Sequence, residues 1–336
     1  MPAGLDLSLV LLFLALSFLV TFFSTPILIA SATRKKLFGN DDNKAGRPRV
    51  AYSGGFAVFG GMAVAILAAV LYLVFLQKNG LDTVLLLASL ASITLLALIG
   101  AFDDIFKLSW KTKAMMPLVG ALPLVAITAG DTWMSLPFLG WINFGFFYTF
   151  VLIPLGVTGA ANAVNMAAGY NGIEAGSVAV ISAFLLLIAV QAGAFPSAVI
   201  LAATLGACLA FLKFNWFPSR VFPGDVGTLA LGAAVASAVI IGNMEKFGVI
   251  LFIPAFYELG ATIYYFLKGV ERRRACHNPV ISKNGVLSPP KGAEKFTLFY
   301  RILAWKPMRE ESLVKTVLAL YALCGFAALA VFYAGG

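Results

Sequence analysis

Apolar runs long enough to cross a lipid bilayer recur ten times along this chain, and no other feature constrains its fold as tightly. A run of about 20 apolar residues spans a hydrocarbon core of roughly 30 Å as a helix, because such a helix satisfies its own backbone groups where water is absent. With 61% hydrophobic residues among 336, the chain carries more apolar surface than one soluble core can hide. The runs predict helices at 7–32, 50–76, 83–102, 114–130, 144–163, 176–194, 196–214, 226–243, 247–268 and 313–334. Pro154 and Gly156 interrupt the fifth. The first is too long for a signal-peptide core and has no basic segment before it, so it reads as a retained helix. The expected fold is an all-α polytopic membrane protein of about ten helices, with 1–336 forming a single transmembrane domain.

Ten passes divide the connections between two sides. One side receives the loops at 33–49, 103–113, 164–175, 215–225 and 269–312; the other receives the short loops and both termini. Of the 24 Lys and Arg residues, all but Lys78 and Lys246 fall on or beside the long-loop side. The positive-inside rule makes that side cytoplasmic and places both termini outside. The net charge of +9 is thereby concentrated on one face, which suits anionic lipids and phosphorylated ligands alike. Cys208, Cys276 and Cys324 are scattered without a CxxC, and His277 is the single histidine. Neither a disulfide framework nor a zinc or multi-histidine centre is supported. In the loop 269–312 between helices nine and ten, "NPVISKNGVLSPP" predicts a β-hairpin turning at Asn284-Gly285 in a type I′ turn. The following "EKFTLFYRILAWK" mixes aromatic and basic residues and suits an interfacial helix.

Polar residues are scarce, so those kept at the long-loop side are informative. Asp103 and Asp104 close the third run in "AFDDIFKLSW". Adjacent carboxylates repel, and the negative pole of the preceding helix disfavours them. A solvated loop of mixed charge is the plain account. The chemical account pairs the acids with Lys113 and a divalent cation, because Mg2+ takes one or two carboxylates together with phosphate oxygens and water. In "NAVNMAAGYNGIEAG", 162–176, Asn162 and Asn165 share a helix face and offer neutral hard oxygens. Asn171 and Glu174 form a capping-box-like N-x-x-E, and capping alone is an equal reading of Glu174.

In "NWFPSRVFPGDVGTLALG", 215–232, Asp225 suits an N-cap or a metal carboxylate, and a helix N-terminus also attracts phosphate. Arg220 beside it either pairs with phosphate or snorkels. In "ERRRACHNP", 271–279, Arg272, Arg273 and Arg274 serve as topology anchors or as a bidentate diphosphate clamp. His277 contacts phosphate, acts as an acid or base, or does neither. The first loop, "RKKLFGNDDNKAGRPRVAYSGG", is basic and glycine-rich enough to form a cleft wall. Glu258, inside helix nine, is the one midspan acid.

These stretches, in this order on one side of ten helices, resemble the polyprenyl-phosphate N-acetylhexosamine-1-phosphate transferases over nearly the whole chain. The strongest piece is "NAVNMAAGYNGIEAG". Together with "RVFPGD" it is similar to the dolichyl-phosphate GlcNAc-1-phosphate transferase branch, whereas the bacterial peptidoglycan branch normally carries a DG-x-D-G version. Without the long last-loop insertions of the eukaryotic enzyme, the chain looks like an archaeal homologue. The resemblance implies a catalytic set of Asp103, Asp104, Lys113, Asn165 and Asp225, with Mg2+ (or Mn2+) on Asn165 and Asp225. It implies nucleotide and sugar recognition by Asn162, Asn171 and Glu174, and diphosphate binding among Arg272, Arg273, Arg274 and His277. Two departures stand out: "RRRACHNP" replaces the family's H-R-x-P, and Ala51-Tyr52 replaces a P-E pair.

The implied reaction is Mg-dependent transfer of GlcNAc-1-phosphate from UDP-GlcNAc to a polyprenyl (dolichyl) phosphate with release of UMP, a first membrane step of glycan assembly such as N-glycosylation. The implied setting is a prokaryotic plasma membrane with the site facing the cytoplasm. The partners are the two substrates and the bilayer, without nucleic acid, and a homodimer is compatible. Two rivals remain: the same chemistry on another UDP-N-acetylhexosamine, and a lipid or anion transporter. A transporter would gather polar residues near the midplane in repeated halves, whereas only Glu258 lies there.

Overall fold

The computed structural model describes residues 6–136, 140–269, 279–292 and 296–335. In chain order these form α1 (Leu7–Arg34), β1 (Phe38–Asn40), β2 (Arg49–Ala51), α2 (Gly55–Tyr72), α3 (Gly80–Phe106), the short α4 (Trp110–Met115), α5 (Pro117–Gly120) and α6 (Leu122–Ala126), then β3 (Trp133–Leu136) and β4 (Gly140–Asn143). There follow α7 (Ile153–Met166), α8 (Ile173–Ala192), α9 (Phe195–Asn215), α10 (Gly224–Ile241), α11 (Glu245–Leu267), β5 (Val280–Ile281), β6 (Val286–Ser288), α12 (Leu298–Trp305), β7 (Met308–Arg309) and α13 (Glu310–Tyr333). Among the described residues nine helices are long and apolar enough to cross a membrane. The chain is an all-α polytopic membrane protein with small antiparallel sheets in its connections.

The expected fourth helix, 114–130, is a broken pass. Pro117 and Pro123 each lack an amide donor and divide it into α4, α5 and α6. The segment still runs from one face to the other. Lys113 meets Asp103 and Asp225 at one end. At the other, the Asp131 N–H donates to Asn243 Oδ1, just beyond α10, at 2.6 Å. The fifth helix contains a wider π turn over Tyr148–Leu152 and becomes α-helical at Ile153, so the π turn adjusts the register just before Pro154, whose ring supplies no amide.

Two boundary shifts and one turn bear on the site and its last loop. Residues 49–51 form β2, paired with β1 in the register Phe38↔Ala51, rather than the start of helix two. The third helix continues past residue 102 to Phe106, so Asp103 and Asp104 lie in its last turn. The hairpin of the last loop is present, with Ile281 opposite Leu287, and β7 joins it as a third strand. Its turn is not type I′. The Gly285 N–H donates to Ser282 O at 2.9 Å, and of the two expected turn residues Gly285 alone has positive φ.

Helix α10 sits at the centre, packed against α2, α3, α7 and α9, with 89% of its span buried. Helices gain no hydrophobic drive from one another in lipid, so close approach of small residues has to hold them together. The sequence "GDVGTLALGAAVASAVII" supplies that surface. At Gly100 the backbone of α3 touches the backbone of Asp225 so closely that a β-carbon would overlap it. The acid-bearing ends of α3 and α10 are thereby pressed together.

Candidate active site

Four backbone segments deliver polar side chains to one point at the long-loop face. Asp103 comes from the last turn of α3, Lys113 from α4, Asn165 from the end of α7 and Asp225 from the first turn of α10. The Lys113 ammonium forms ion pairs with both Asp103 Oδ2 and Asp225 Oδ2. Asn165 Nδ2 donates to Asp225 Oδ1 at 2.6 Å and to Thr228 Oγ1 at 2.8 Å. Asp103 is 5% exposed, and its Oδ1 accepts the Leu108 N–H at 3.0 Å, beyond the helix end. Its charge at the negative pole of α3 is thus met by a lysine and an amide. Burial opposes the Lys113 charge, and Asp225 and Asp103 more than offset it, so the ammonium titrates above its ordinary value of 10.5.

Asp104 faces another way. Its Oδ1 accepts the Asp225 N–H at 3.1 Å and the Tyr52 hydroxyl at 2.9 Å. The residue before α10 is Pro223, whose side chain makes no capping bond. Asp104 fills that role from the neighbouring helix, placing an anion at the positive pole of α10. The cost of an acid at the end of α3 is offset at the start of α10. Burial, followed by the charges of Asp104 and Asp225, holds the Tyr52 hydroxyl protonated far above the usual tyrosine range. Asp225, for which capping was one reading, sits inside the first turn with its carboxylate turned to Lys113 and Asn165.

Asn162, one turn before Asn165, donates to the Ala114 carbonyl at 3.0 Å and holds α4, and with it Lys113, against α7. Asn171 does not cap α8, whose cap position is Gly172 in the left-handed conformation. Instead its amide joins three segments: Nδ2 donates to Asp41 Oδ2 at 3.0 Å, Oδ1 accepts the Ser219 N–H at 2.9 Å, and its own N–H donates to Glu310 Oε1 at 2.8 Å. Lys44 pairs with both Asp41 and Glu310, and Asn43 donates to the Gly169 carbonyl. This second cluster binds the first loop to α13. Glu174 is buried in the first turn of α8. Arg220 lies over the Phe214 ring, 5.6 Å from its centroid. Glu258, the midspan acid, accepts the Leu298 N–H at 2.7 Å and caps α12 from α11. Arg272, Arg273, Arg274 and His277 lie outside the described residues.

Sequence reasoning gave no role to Tyr52, Thr228, Asp41, Lys44 and Glu310. Two of them carried a signal: Tyr52 as a departure from the resembled pattern, and Glu310 as an acid opening a membrane helix. The donor set at the first cluster fits a hard divalent ion. Among the described residues no three His, Cys, Asp or Glu side chains are grouped to hold a metal. A single carboxylate with an adjoining amide is nonetheless enough for Mg2+, which completes its shell with phosphate and water. Asp225 and Asn165 are such a carboxylate and amide side by side, joined here through the Asn165 Nδ2 donor.

The profile of glycosyl transferase family 4 matches residues 85–243. That stretch includes Asp103, Asp104, Lys113, Asn165 and Asp225. A protein of Saccharolobus solfataricus, provisionally named UDP-N-acetylglucosamine–dolichyl-phosphate N-acetylglucosaminephosphotransferase, is 32% identical over 263 residues, covering 78% of this chain and 80% of the relative. A phospho-N-acetylmuramoyl-pentapeptide-transferase of Clostridium perfringens is 31% identical over 276 residues, covering 75% of this chain and 85% of the relative. The UDP-N-acetylglucosamine–dolichyl-phosphate N-acetylglucosaminephosphotransferase of Schizosaccharomyces pombe is 30% identical over 198 residues, 53% of this chain and 44% of the relative.

Proposed function

Given that the chain belongs to glycosyl transferase family 4 and is a membrane-embedded sugar-phosphate transferase, we propose that it moves GlcNAc-1-phosphate from UDP-GlcNAc to a polyprenyl phosphate, with dolichyl phosphate as the preferred acceptor. The meeting of Lys113, Asp103, Asp225 and Asn165 at one face supports this most directly. Both reactants are polyanions, so the main barrier is electrostatic. Each well-placed donor at such a site is worth on the order of 3 kcal/mol in the transition state.

An oxygen of the lipid phosphate attacks the sugar-side phosphorus of UDP-GlcNAc. The phosphoanhydride bond to UMP breaks, and UMP leaves with the electron pair. Lys113 is placed to hold phosphate oxygens as charge moves between them. The acceptor needs no strong base, because a phosphate monoester with a second pKa of about 6 is largely dianionic at neutral pH. Asp103 and Asp104 are accordingly positioning groups: the first orients Lys113, and the second fixes the start of α10. Mg2+, or Mn2+ in its place, would be held by Asp225 and Asn165 and would supply charge neutralisation for the diphosphate.

A cavity of about 310 Å³ lies between α7, α10 and α11, lined by Leu152, Gly156, Ala160, Val235, Val239 and Phe252 among others. It extends along α7 from Ala160 to Tyr148 and Glu245, and its apolar walls suit an isoprenoid tail. The basic residues of the long-loop side favour a cytoplasmic site, which fits UDP-GlcNAc as the donor and a first membrane step of glycan assembly such as N-glycosylation.

Purified protein incubated with several UDP-sugars, short polyprenyl phosphates and Mg2+ tests the proposal through the mass of the lipid product. A polyprenyl-diphospho-GlcNAc product with matching UMP supports it. A product carrying only another N-acetylhexosamine changes the donor. The absence of any lipid product or UMP refutes transfer.

A further inference from the structure

We propose that Tyr52 is a positioning residue whose hydroxyl locks Asp104 onto the start of α10, and that this lock sets the rate of transfer rather than the affinity for the nucleotide sugar. The inference rests on the transferase reading above and assigns a role to a residue of the first loop.

The loop bearing Tyr52 is fastened on both sides to the lead-in of α10. The Phe222 N–H donates to Ala51 O at 2.9 Å, the Gly54 N–H to Phe222 O at 2.9 Å and the Gly55 N–H to Pro223 O at 2.8 Å. Ala51 also forms a parallel bridge with Val221. The Tyr52 ring therefore cannot drift, and its hydroxyl is held at 2.9 Å from Asp104 Oδ1. The same oxygen takes the Asp225 N–H at 3.1 Å. Gly224 completes the enclosure. It has φ +65°, and a β-carbon there would stand 2.7 Å from Asp104 Oδ2 and 3.2 Å from the Tyr52 ring.

Asp104 is thus gripped by one loop hydroxyl and by the first amide of α10. That amide belongs to Asp225, whose two carboxylate oxygens face Lys113 and Asn165. Removing the hydroxyl leaves the ring packed and the loop fastened. It frees Asp104 to rotate, and Asp225 loses the fixed acceptor behind its backbone. Electrostatic stabilisation depends on donors already aimed before reaction, so the loss falls on turnover.

The test is Tyr52→Phe in the full-length protein, with UDP-GlcNAc, a short polyprenyl phosphate and Mg2+ as reactants. The expected result is kcat lower by about tenfold, the scale of one hydrogen bond to a charged group, with KM for UDP-GlcNAc within about twofold of wild type. The melting temperature should stay within about 2 °C, since packing is unchanged. Hydrogen exchange should quicken about tenfold at the amide of Asp225 and nowhere in α13. Unchanged kcat with unchanged exchange overturns the inference, as does a loss carried by KM. If the wild-type protein releases no UMP, the transferase reading fails by itself. Exchange then decides whether Tyr52 holds α10: faster exchange supports the lock, and unchanged exchange removes it.

Discussion

Replacing Lys113 by methionine separates its structural and chemical roles. The ammonium is 29% exposed and sits between Asp103, 5% exposed, and Asp225, 19% exposed. Taking one partner from a fully buried pair costs about 3–5 kcal/mol, because the remaining charge is stranded. Solvent reaches this lysine, so the expected destabilisation is smaller, about 2 kcal/mol. Turnover should suffer more. Loss of one preorganised electrostatic donor lowers kcat by about 10²–10³, equivalent to roughly 3–4 kcal/mol. A second change, Asp103→Asn in the Lys113→Met background, removes one stranded charge and should recover about half of the lost stability. It should recover no activity, because it restores no cation. Thermal unfolding in detergent reads the first quantity and UMP release the second. Lys113→Met with kcat within about threefold of wild type would refute the reasoning, as would a double variant that regains turnover along with stability.

The stability that Lys113 contributes should be fully present below its ordinary pKa of 10.5 and disappear only as pH rises through the raised folded-state value. Unfolding of wild type and Lys113→Met compared from neutral pH to pH 11 measures it, and convergence well below pH 10 contradicts the ion pairs. Gly100→Ala forces a methyl into the Asp225 backbone. It should cost about 1–3 kcal/mol and abolish most transfer by parting α3 from α10, whereas wild-type melting would show that the helices separate without penalty. Glu258→Ala leaves the Leu298 amide without its charged acceptor. The expected cost is about 1–2 kcal/mol, visible as faster proteolysis in the loop before α12, and an unchanged cleavage rate would remove Glu258 from that role.

The passes were legible because apolar length is a crude and robust signal. The single fourth helix was not, since Pro117 and Pro123 lie within a run whose hydropathy alone looks continuous. Asp103, Lys113, Asn165 and Asp225 could be picked out because polar groups near membrane helix ends are scarce and the motifs share one side of the topology. Their meeting point depends on contacts between residues far apart in the chain. The bond from Asp104 to Asp225 joins segments 121 residues apart, and no local pattern encodes it. The same holds for Asn171, whose N-x-x-E spacing suggested a cap while its partners Asp41, Ser219 and Glu310 come from three other segments. Local spacing suggested a cap, and the partners are long-range ones. In the hairpin, Asn284-Gly285 marked the turn correctly, but the Ser282 carbonyl, not the dipeptide alone, decided its geometry.

Because Asp104 ties the tail of α3 to the head of α10, the spacing between Asp103 and Asp225 is built into the scaffold. Neither helix can slide without undoing the other. A descendant of this protein has little freedom at that junction or in what braces it, since Ala51, Gly54 and Gly55 are bonded to Phe222 and Pro223 and Asn171 holds three further segments together. Sequence drift is cheapest away from both.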